Sequence, residues 1–291
     1  MSQNLQIDPL DPRDNMQNTN DPRRIRVVRQ AANSPSRELV RADASRRGVA
    51  RRPASSPKTI VQMQDPRLFS KAQLDYLKII HPQSENRKLV DTFRELRTRL
   101  MGLRANQNFT VMVTSVTPGG GGSFVAMNLA ASIAFQDSKT SLLLDCNLRD
   151  PYLHKILQLA KLDNGKGLTD FLADPTVGID TVVRPSGIPR MRMVPVGGRR
   201  ESATEYFSSR TMHGFFNEVS RRYRDRYVIV DAPSIASSAD AKILANLVDY
   251  IILVVPYGKV SANQIASICH DLDQSKLIGT VLNDEPLAEI S

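Results

Sequence analysis

The chain has 291 residues, of which 41% are hydrophobic, so it can form one large α/β domain with appended segments. Lysine and arginine outnumber aspartate and glutamate by 39 to 30, which gives a formal net charge of +9. Because no apolar run approaches about 18 residues and the two cysteines, Cys146 and Cys269, are far apart, we expect a cytoplasmic protein with reduced thiols rather than a membrane-spanning or disulfide-stabilised chain.

The first 60 residues carry most of the excess positive charge. They contain 12 lysine or arginine residues against 6 aspartate or glutamate residues, and no phenylalanine, tyrosine or tryptophan. A segment with so little apolar surface cannot offset the entropy of ordering its backbone, so we predict a disordered basic arm over residues 1–64. Its arginines suit an acidic membrane surface or an acidic protein, although a solvated tail without a ligand has the same composition. Nucleic acid is disfavoured as a partner because no aromatic side chain is present to stack on bases.

Two helices are expected before the first strand of the domain. Loosely spaced apolar residues over 66–80 predict a short docking helix in a linker of residues 65–83, ended by Pro82. A longer amphipathic helix is predicted over 84–103, because apolar residues recur there at the spacing of one helical face. The residues of this stripe are Leu89, Val90, Phe93, Leu96 and Leu100.

The next stretch joins a strand to a helix through four successive glycines. A β-branched run over 110–116 predicts a buried strand, and an apolar helix is predicted over 124–135. Between the two lie Gly119, Gly120, Gly121, Gly122 and Ser123, and Phe124 follows them. The backbone N–H groups of such a loop, together with the N-terminus of the helix, attract phosphate independently of any side chain. In the phosphate-binding pattern G-x-x-x-x-G-K-[ST] a lysine precedes the hydroxyl residue, whereas this chain has Gly122 there.

Strands and helices alternate along the rest of the chain. Short apolar runs predict five further strands, over residues 141–145, 191–196, 227–231, 250–255 and 277–282. Helical patterns accompany them over residues 212–223, 239–247 and 261–274. This alternation predicts an α/β fold with a doubly wound, mostly parallel sheet, like that of P-loop nucleotide hydrolases, over residues 84–291.

Two aspartates end predicted strands of this sheet. Asp145 closes the run LLLD, and Asp231 closes the run YVIVD. Either aspartate alone is as well explained by the capping of a following helix. Together, behind a glycine loop, they have the usual position of carboxylates that order the hydration shell of Mg²⁺, with Ser123 as the direct hydroxyl ligand. The sequence therefore predicts a site for ATP or ADP with Mg²⁺.

These motifs resemble those of the bacterial tyrosine autokinases, a family that regulates the export of capsular and extracellular polysaccharide. TSVTPGGGGS is similar to the first Walker motif of that family, LLLDCNLRDP to its second aspartate motif and VIVDAPS to its Walker B strand. MVPVGG followed by TEYFSS resembles the segment between the two aspartate motifs. GTVLN resembles the last strand, which implies that Asn283 faces the adenine. The similarity covers about residues 84–285.

The resemblance also implies assembly. Asp91, Arg94 and Arg97 are similar to the acidic-x-x-Arg-x-x-Arg oligomerisation motif of the family, with aspartate in place of the usual glutamate. A ring-like homo-oligomer is therefore expected. The resemblance further implies a membrane polysaccharide co-polymerase, or a related active kinase, as partner. Such a subunit would lie in the cytoplasm at the inner face of the membrane, with its basic arm near acidic lipid.

Three departures from the family pattern bear on activity. Gly122 replaces the Walker lysine, and Asn147 replaces the second acidic residue of the Asp-x-Asp pattern. No tyrosine follows Tyr257, where the family has a cluster that receives phosphate. All three favour a pseudokinase, in which Asp145 and Asp231 are the catalytic residues of a degenerate site that binds nucleotide weakly or not at all. We therefore predict a non-catalytic or weakly catalytic oligomerising scaffold of exopolysaccharide or capsule biosynthesis.

Two other functions stay open at this point. A substitute cation, for which Arg149 and Arg94 are candidates, would make the chain an active ATP-dependent protein-tyrosine kinase or ATPase. A partition or division-site ATPase belongs to the same superfamily. Its additional signature lysine would fall at Thr117, and no amphipathic membrane helix closes the chain. The sequence therefore disfavours this second alternative.

Overall fold

The computed structural model describes residues 26–28, 69–104, 107–148, 150–151, 165–198, 203–222 and 225–284. Apart from residues 26–28, the predicted basic arm lies outside these ranges, as does Arg149. Within the described residues, helices cover both faces of a central sheet, and Cys146 and Cys269 are free thiols, as predicted.

The central sheet contains eight strands in the part of the chain that is described. β1 covers Arg26–Val28, β2 Thr110–Ser115, β3 Thr140–Asp145, β4 Arg184–Pro185, β5 Met191–Val194, β6 Arg226–Asp231, β7 Tyr250–Pro256 and β8 Leu277–Asn283. Their order across the sheet is β1-β8-β7-β2-β6-β3-β5-β4. The six central strands run parallel, whereas the outer strands β1 and β4 pair antiparallel with β8 and β5. The predicted doubly wound, mostly parallel sheet is confirmed.

Helices cover both faces of this sheet. α1 covers Lys71–Tyr76, α2 Arg87–Leu103, α3 Gly122–Ala134, α4 Leu168–Ala173, α5 Ile179–Val182, α6 Ala203–Phe207, α7 Arg210–Arg221, α8 Ala239–Leu247 and α9 Ala262–Asp271, and Pro175–Val177 forms a short 3₁₀ turn. Successive side chains of a strand point to opposite faces, so the sheet contributes to two hydrophobic cores. One core contains α1, α2 and α3, and the other contains α4 to α9. None of the helices in the described ranges has the length and hydropathy needed to cross a membrane.

The apolar stripe predicted for α2 is confirmed. Its buried residues are Leu89, Val90, Phe93, Leu96 and Leu100. Arg97 also lies where α2 packs against α3, because its Nη1 donates a hydrogen bond to the carbonyl of Ser132 in α3 at 2.6 Å. Arg190 Nε donates to the carbonyl of Ala134 at 2.8 Å. Two guanidinium groups therefore bind carbonyls in the last turn of α3, where the helix dipole is negative.

α1 lies in the predicted linker and is connected to α3 through Asn128. The side chain of Ser70 caps α1 by accepting a hydrogen bond from the N–H of Gln73. After the helix, Asn128 Oδ1 accepts from the N–H of Ile80 at 2.8 Å, and Asn128 Nδ2 donates to the carbonyl of Lys78 at 3.1 Å. The segment after α1 is thereby fixed to the helix that follows the glycine loop.

Several elements differ from the sequence-based predictions, and one of them is the two-residue strand β4, which was not predicted. The strand β1 lies inside the predicted disordered arm, so the prediction of disorder does not hold for these three residues, which pair with residues 280–282 of β8. Pairing at a sheet edge satisfies backbone groups of almost any sequence, so composition does not reveal it. The short helices α4, α5 and α6 were not predicted, because four to six residues are too few to show a helical period.

Candidate functional site

The four glycines lie at the carboxyl end of β2, in the turn to α3. Gly119 and Gly121 have positive φ angles, 69° and 93°, which residues with a side chain rarely adopt. Gly121 is the N-cap of α3 and makes no side-chain hydrogen bond, and its carbonyl accepts from the N–H of Val125 at 3.0 Å. The first turn of α3 therefore has no side-chain cap at its N-terminus, which is the arrangement of an anion-binding helix end.

Close packing explains why the loop has so few side chains. A Cβ atom on Gly120 would lie 2.9 Å from Cβ of Ser115, and one on Gly121 would lie 2.1 Å from Nδ2 of Asn283. Gly122 is different, because its Cβ would lie 3.3 Å from the backbone nitrogen of Ser115. At that distance the neighbouring backbone would have to move by a few tenths of an ångström, which is less than Gly120 or Gly121 would require. The backbone of the loop therefore does not by itself forbid a lysine at Gly122.

Two side chains hold the loop in place. Ser115 Oγ donates a hydrogen bond to the carbonyl of Thr117 at 2.8 Å, and Asn283 Nδ2 donates to the carbonyl of Gly120 at 3.1 Å. The loop is thus tied to the strand before it and to the end of β8. An adenine contact was expected for Asn283; its observed hydrogen bond is with the loop, and the adenine contact stays a prediction. Sequence reasoning missed Ser115, although a polar residue at the end of an apolar strand was a usable signal.

Phe124 does not present its side chain to the loop. The ring is buried and packs edge-on against Phe93 of α2, with ring centroids 6.1 Å apart. Only the backbone of Phe124 can therefore serve the predicted phosphate site. The aromatic contact connects the first turn of α3 to the amphipathic helix α2.

Asp145 and Asp231 lie side by side at the carboxyl edge of the sheet. They are register partners at the ends of β3 and β6, and both are fully buried. The N–H of Asn147 donates to Asp145 Oδ1 at 3.0 Å, whereas the two carboxylate oxygens of Asp231 have no partner with hydrogen-bond geometry. Burial, and then repulsion from Asp145, raise the pKa of Asp231 well above its ordinary value, and interaction with the hydroxyl of Ser123 offsets part of this rise. The two strand ends thus concentrate negative charge that a cation would neutralise.

These oxygens fit a magnesium ion. Mg²⁺ is usually bound through one or two carboxylates and substrate phosphates, and it keeps several waters. Asp231 supplies buried carboxylate oxygens without hydrogen-bond partners, and Asp145 and the Ser123 hydroxyl lie beside it. The described residues contain no group of three or more His, Cys, Asp or Glu side chains that could hold a metal ion without further ligands. Phosphate oxygens and water would therefore have to complete the coordination shell.

Of the two candidate substitute cations, only Arg94 lies in a described range. Arg94 is 60% exposed on α2, and its Nη1 pairs with Oδ1 of Asp91, which is 65% exposed, at 2.8 Å. Arg97, the third residue of the predicted oligomerisation motif, instead donates to α3. Burial, and then repulsion from Arg94, lower the pKa of Arg97. Two members of the motif are therefore on the surface, and the third is engaged inside the subunit.

The comparisons with known proteins agree with this geometry. No protein-family model matches the chain. The tyrosine-protein kinase YwqD of Bacillus subtilis is 32% identical to it over 225 residues, which are 76% of this chain and 91% of YwqD. The chain belongs to the bacterial tyrosine-protein kinase family. A longer member, tyrosine-protein kinase Wzc of Salmonella typhimurium, is 30% identical over 197 residues, which are 67% of this chain and 26% of Wzc.

Solved structures of kinase domains share the fold. The kinase domain of the Escherichia coli tyrosine kinase ETK superimposes with a TM-score of 0.63 at 23% identity, over 81% of this chain and 96% of that domain. The chimerical protein CapA2B2 gives a TM-score of 0.62 at 24% identity, over 71% of this chain and 88% of the chimera. At these identities the similarity establishes a common fold. Because the chain spans about a quarter of Wzc, it corresponds to one part of such a longer tyrosine-protein kinase.

Proposed function

We propose that this member of the tyrosine-protein kinase family is a non-catalytic or weakly catalytic regulatory subunit of exopolysaccharide or capsule biosynthesis. It holds a nucleotide weakly at the glycine loop, assembles with copies of itself and docks on a membrane co-polymerase or on an active kinase relative. One observation carries the proposal. Gly122 is the first residue of α3, directly before Ser123, where the phosphate-binding pattern has its lysine.

The missing lysine matters because it acts through charge. A unit charge at about 4 Å from a phosphate oxygen is worth roughly 4 kcal/mol at an effective dielectric constant near 20. Where that interaction tightens in the transition state, its loss slows phosphoryl transfer by about three decades. Asn147 is neutral, so a carboxylate that could help to hold Mg²⁺ is also missing; its Oδ1 instead accepts a hydrogen bond from the N–H of Asp150 at 3.4 Å in a local turn. Both substitutions therefore act against catalysis.

Ground-state binding depends less on that lysine. The helix end at Gly121, the buried carboxylate of Asp231 and the hydroxyl of Ser123 are all in place. When bound, Mg²⁺ would neutralise the two strand-end aspartates and the nucleotide phosphates together. The site is therefore proposed to keep a weak, Mg²⁺-dependent affinity for ATP or ADP without turnover.

Calorimetry and a turnover assay test this proposal. ATP with Mg²⁺ is titrated into the full chain, and phosphate release is measured beside an Asp231→Ala variant as the background. Weak binding without turnover above that background is the expected result. Turnover clearly above the Asp231→Ala background contradicts a non-catalytic site and favours an active kinase or ATPase.

The Gly122→Lys variant gives a more specific test of the missing charge. A matched Gly122→Met variant places a chain of similar length against the same Ser115 contact but carries no charge. Gly122→Lys is expected to tighten Mg²⁺·ATP binding by about tenfold or more, since a tenfold change needs only about 1.4 kcal/mol. Gly122→Met should not tighten it. Equal affinities for the two variants would show that the site lacks more than its cation.

The assembly part of the proposal depends on the exposed side chains of Asp91 and Arg94 on α2. Arg94→Glu is expected to reduce self-association in sedimentation velocity, because Arg94 is exposed and belongs to the predicted motif. Arg99→Glu is the matched control, since Arg99 is also exposed on α2 and pairs with Glu95 but lies outside the motif. Equal loss of assembly in both variants would indicate a general charge effect rather than a specific interface.

A further inference from the structure

A second cleft with charged walls lies at the opposite end of the sheet from the glycine loop. A cleft of about 150 Å³ is lined there by four charged side chains, Asp180, Arg192, Arg222 and Arg226. Arg226 begins the six-residue strand β6 and Asp231 ends it, so five steps along the strand, or about 16 Å, separate the cleft from the two buried aspartates. The cleft is therefore distinct from the predicted nucleotide site.

The strand register places two of these arginines on one face of the sheet. Arg192 of β5 is paired with Leu142 of β3, and Arg226 of β6 is paired with Thr140 of the same strand. Because Thr140 and Leu142 are two residues apart, their register partners point to the same side. Arg222, the C-cap of α7, completes the set from above this face. Three guanidinium groups from three separate elements thus line one cleft, together with the carboxylate of Asp180.

The carboxylate of Asp180 shows how an oxyanion fits this cavity. Its Oδ1 and Oδ2 lie 3.0 Å from Nη1 and Nη2 of Arg222, which is the two-point contact that guanidinium groups also make with phosphate. Asp180 is 81% exposed and Arg222 34% exposed, so the pair lies at the rim in contact with solvent. Exposed ion pairs of this kind are weak, and an anion of higher charge can displace the carboxylate.

The rest of the cleft is aliphatic. Ile179 and Val183, at the two ends of α5, and Val219 of α7 line it beside the arginines. This combination, an apolar wall next to several guanidinium groups, suits an aromatic ring that carries a phosphate group. A free phosphate ion or a phosphorylated serine would leave the aliphatic wall without a contact.

We propose that this cleft binds the phosphorylated tyrosine side chain of a protein partner. The phosphate group replaces Asp180 on Arg222 and is also held by Arg192 and Arg226, while the ring packs on the aliphatic wall. The source of such a side chain rests on the proposed function, in which the chain docks on an active tyrosine kinase relative. A subunit that is itself inactive would then recognise the phosphorylated state of its partner.

Fluorescence anisotropy with the full chain tests this site. A labelled phosphotyrosyl peptide is compared with the same peptide carrying tyrosine. The phosphorylated peptide is expected to bind at least about tenfold more tightly, as charge-assisted contacts to guanidinium groups imply. Arg192→Gln should weaken its binding by about tenfold, whereas Asp180→Asn should strengthen it, because the competing carboxylate is removed. Arg226 is buried, so its replacement is avoided.

Arg221→Gln is the matched control, since Arg221 is the exposed neighbour of Arg222 and does not line the cleft. Unchanged binding in this variant supports a defined site. Any one of three results would overturn the proposal. The two peptides could bind equally, Arg221→Gln and Arg192→Gln could lose the same affinity for the phosphorylated peptide, or Asp180→Asn could bind that peptide more weakly. Arg192-dependent binding of phosphatidylglycerol vesicles without peptide binding would also overturn it, in favour of a membrane surface. The calorimetry with Mg²⁺·ATP should be unaffected by Arg192→Gln, which separates a failure here from a failure at the glycine loop.

Discussion

Charged and polar groups are arranged differently at the two ends of the parallel sheet. At the carboxyl end, the glycine loop offers backbone groups to an anion, and two buried aspartates lie beside it. At the amino end, arginine side chains from separate elements meet an exposed aspartate. The first site depends on loop geometry and on burial, so substitutions there are expected to change both stability and binding. The second includes Asp180 and Arg222 at a solvent-accessible rim, so substitutions of these two residues should change binding with little effect on folding, whereas Arg226 is buried.

The largest effect is expected at Gly121. In Gly121→Ala the φ angle of 93° is unfavourable, and the added Cβ would lie 2.1 Å from Nδ2 of the buried Asn283. We expect a loss of about 2–4 kcal/mol in the free energy of unfolding, together with loss of nucleotide affinity. Urea denaturation and calorimetry measure the two quantities.

Gly119→Ala is the control for this variant. Gly119 also has a positive φ angle, 69°, but its Cβ would meet nothing within 4 Å. Backbone strain alone should therefore cost about 1–2 kcal/mol. In the double variant of Gly121→Ala with Asn283→Ala, the clash is removed, so the two changes should cost less together than the sum of the single changes. Strict additivity would show that Asn283 is not what restricts Gly121.

The next prediction concerns Asp231, where a substitution is expected to raise the free energy of unfolding rather than lower it. The folded state raises the pKa of Asp231. At a pH between the ordinary aspartate pKa and this raised pKa, the native protein therefore still holds a proton that the unfolded chain has released. The free energy of unfolding should therefore be highest below the ordinary aspartate pKa and fall as pH rises toward the raised one. Asp231→Asn removes this ionisation. Near neutral pH and without Mg²⁺, the variant should have a higher free energy of unfolding than the native chain. The difference should exceed about 0.5 kcal/mol, the usual limit for substitutions at the surface.

Thermal unfolding at several pH values, with and without Mg²⁺ and ADP, checks this second prediction. Mg²⁺ with ADP should stabilise the native chain and should not stabilise Asp231→Asn. Asp225→Asn serves as a control, because Asp225 precedes β6, at the opposite end from Asp231, and accepts a hydrogen bond from Thr140 Oγ1 at 3.2 Å. A native chain whose stability rises with pH over this interval would contradict the raised pKa of Asp231.

The same contrast shows what the sequence could predict. The glycine loop and the stripe of α2 are contiguous or regularly spaced, so their backbone preferences and periods are visible in the chain itself. Asp145 and Asp231 are 86 positions apart, yet both end apolar strands, and parallel strands align their carboxyl ends. Arg192, Arg222 and Arg226 share no pattern, because a strand register and a helix end bring them together. β1 was equally invisible, since an edge strand of three residues depends on the pairing offered by β8.

The smallest change in stability is expected at the rim of the cleft. Arg222→Gln removes the ion pair with Asp180, whose side chain is 81% exposed. The free energy of unfolding should therefore fall by no more than about 1 kcal/mol. High salt should reduce this difference further, because it screens exposed charges. Urea denaturation of Arg222→Gln, Asp180→Asn and the double variant, at low and high NaCl, gives the coupling energy of the pair. A weak coupling means that an incoming phosphate can displace Asp180 at low cost, which is what recognition of phosphotyrosine requires. A coupling above about 3 kcal/mol, typical of a buried pair, would instead make Asp180 a fixed structural partner and leave the cleft without room for a second anion.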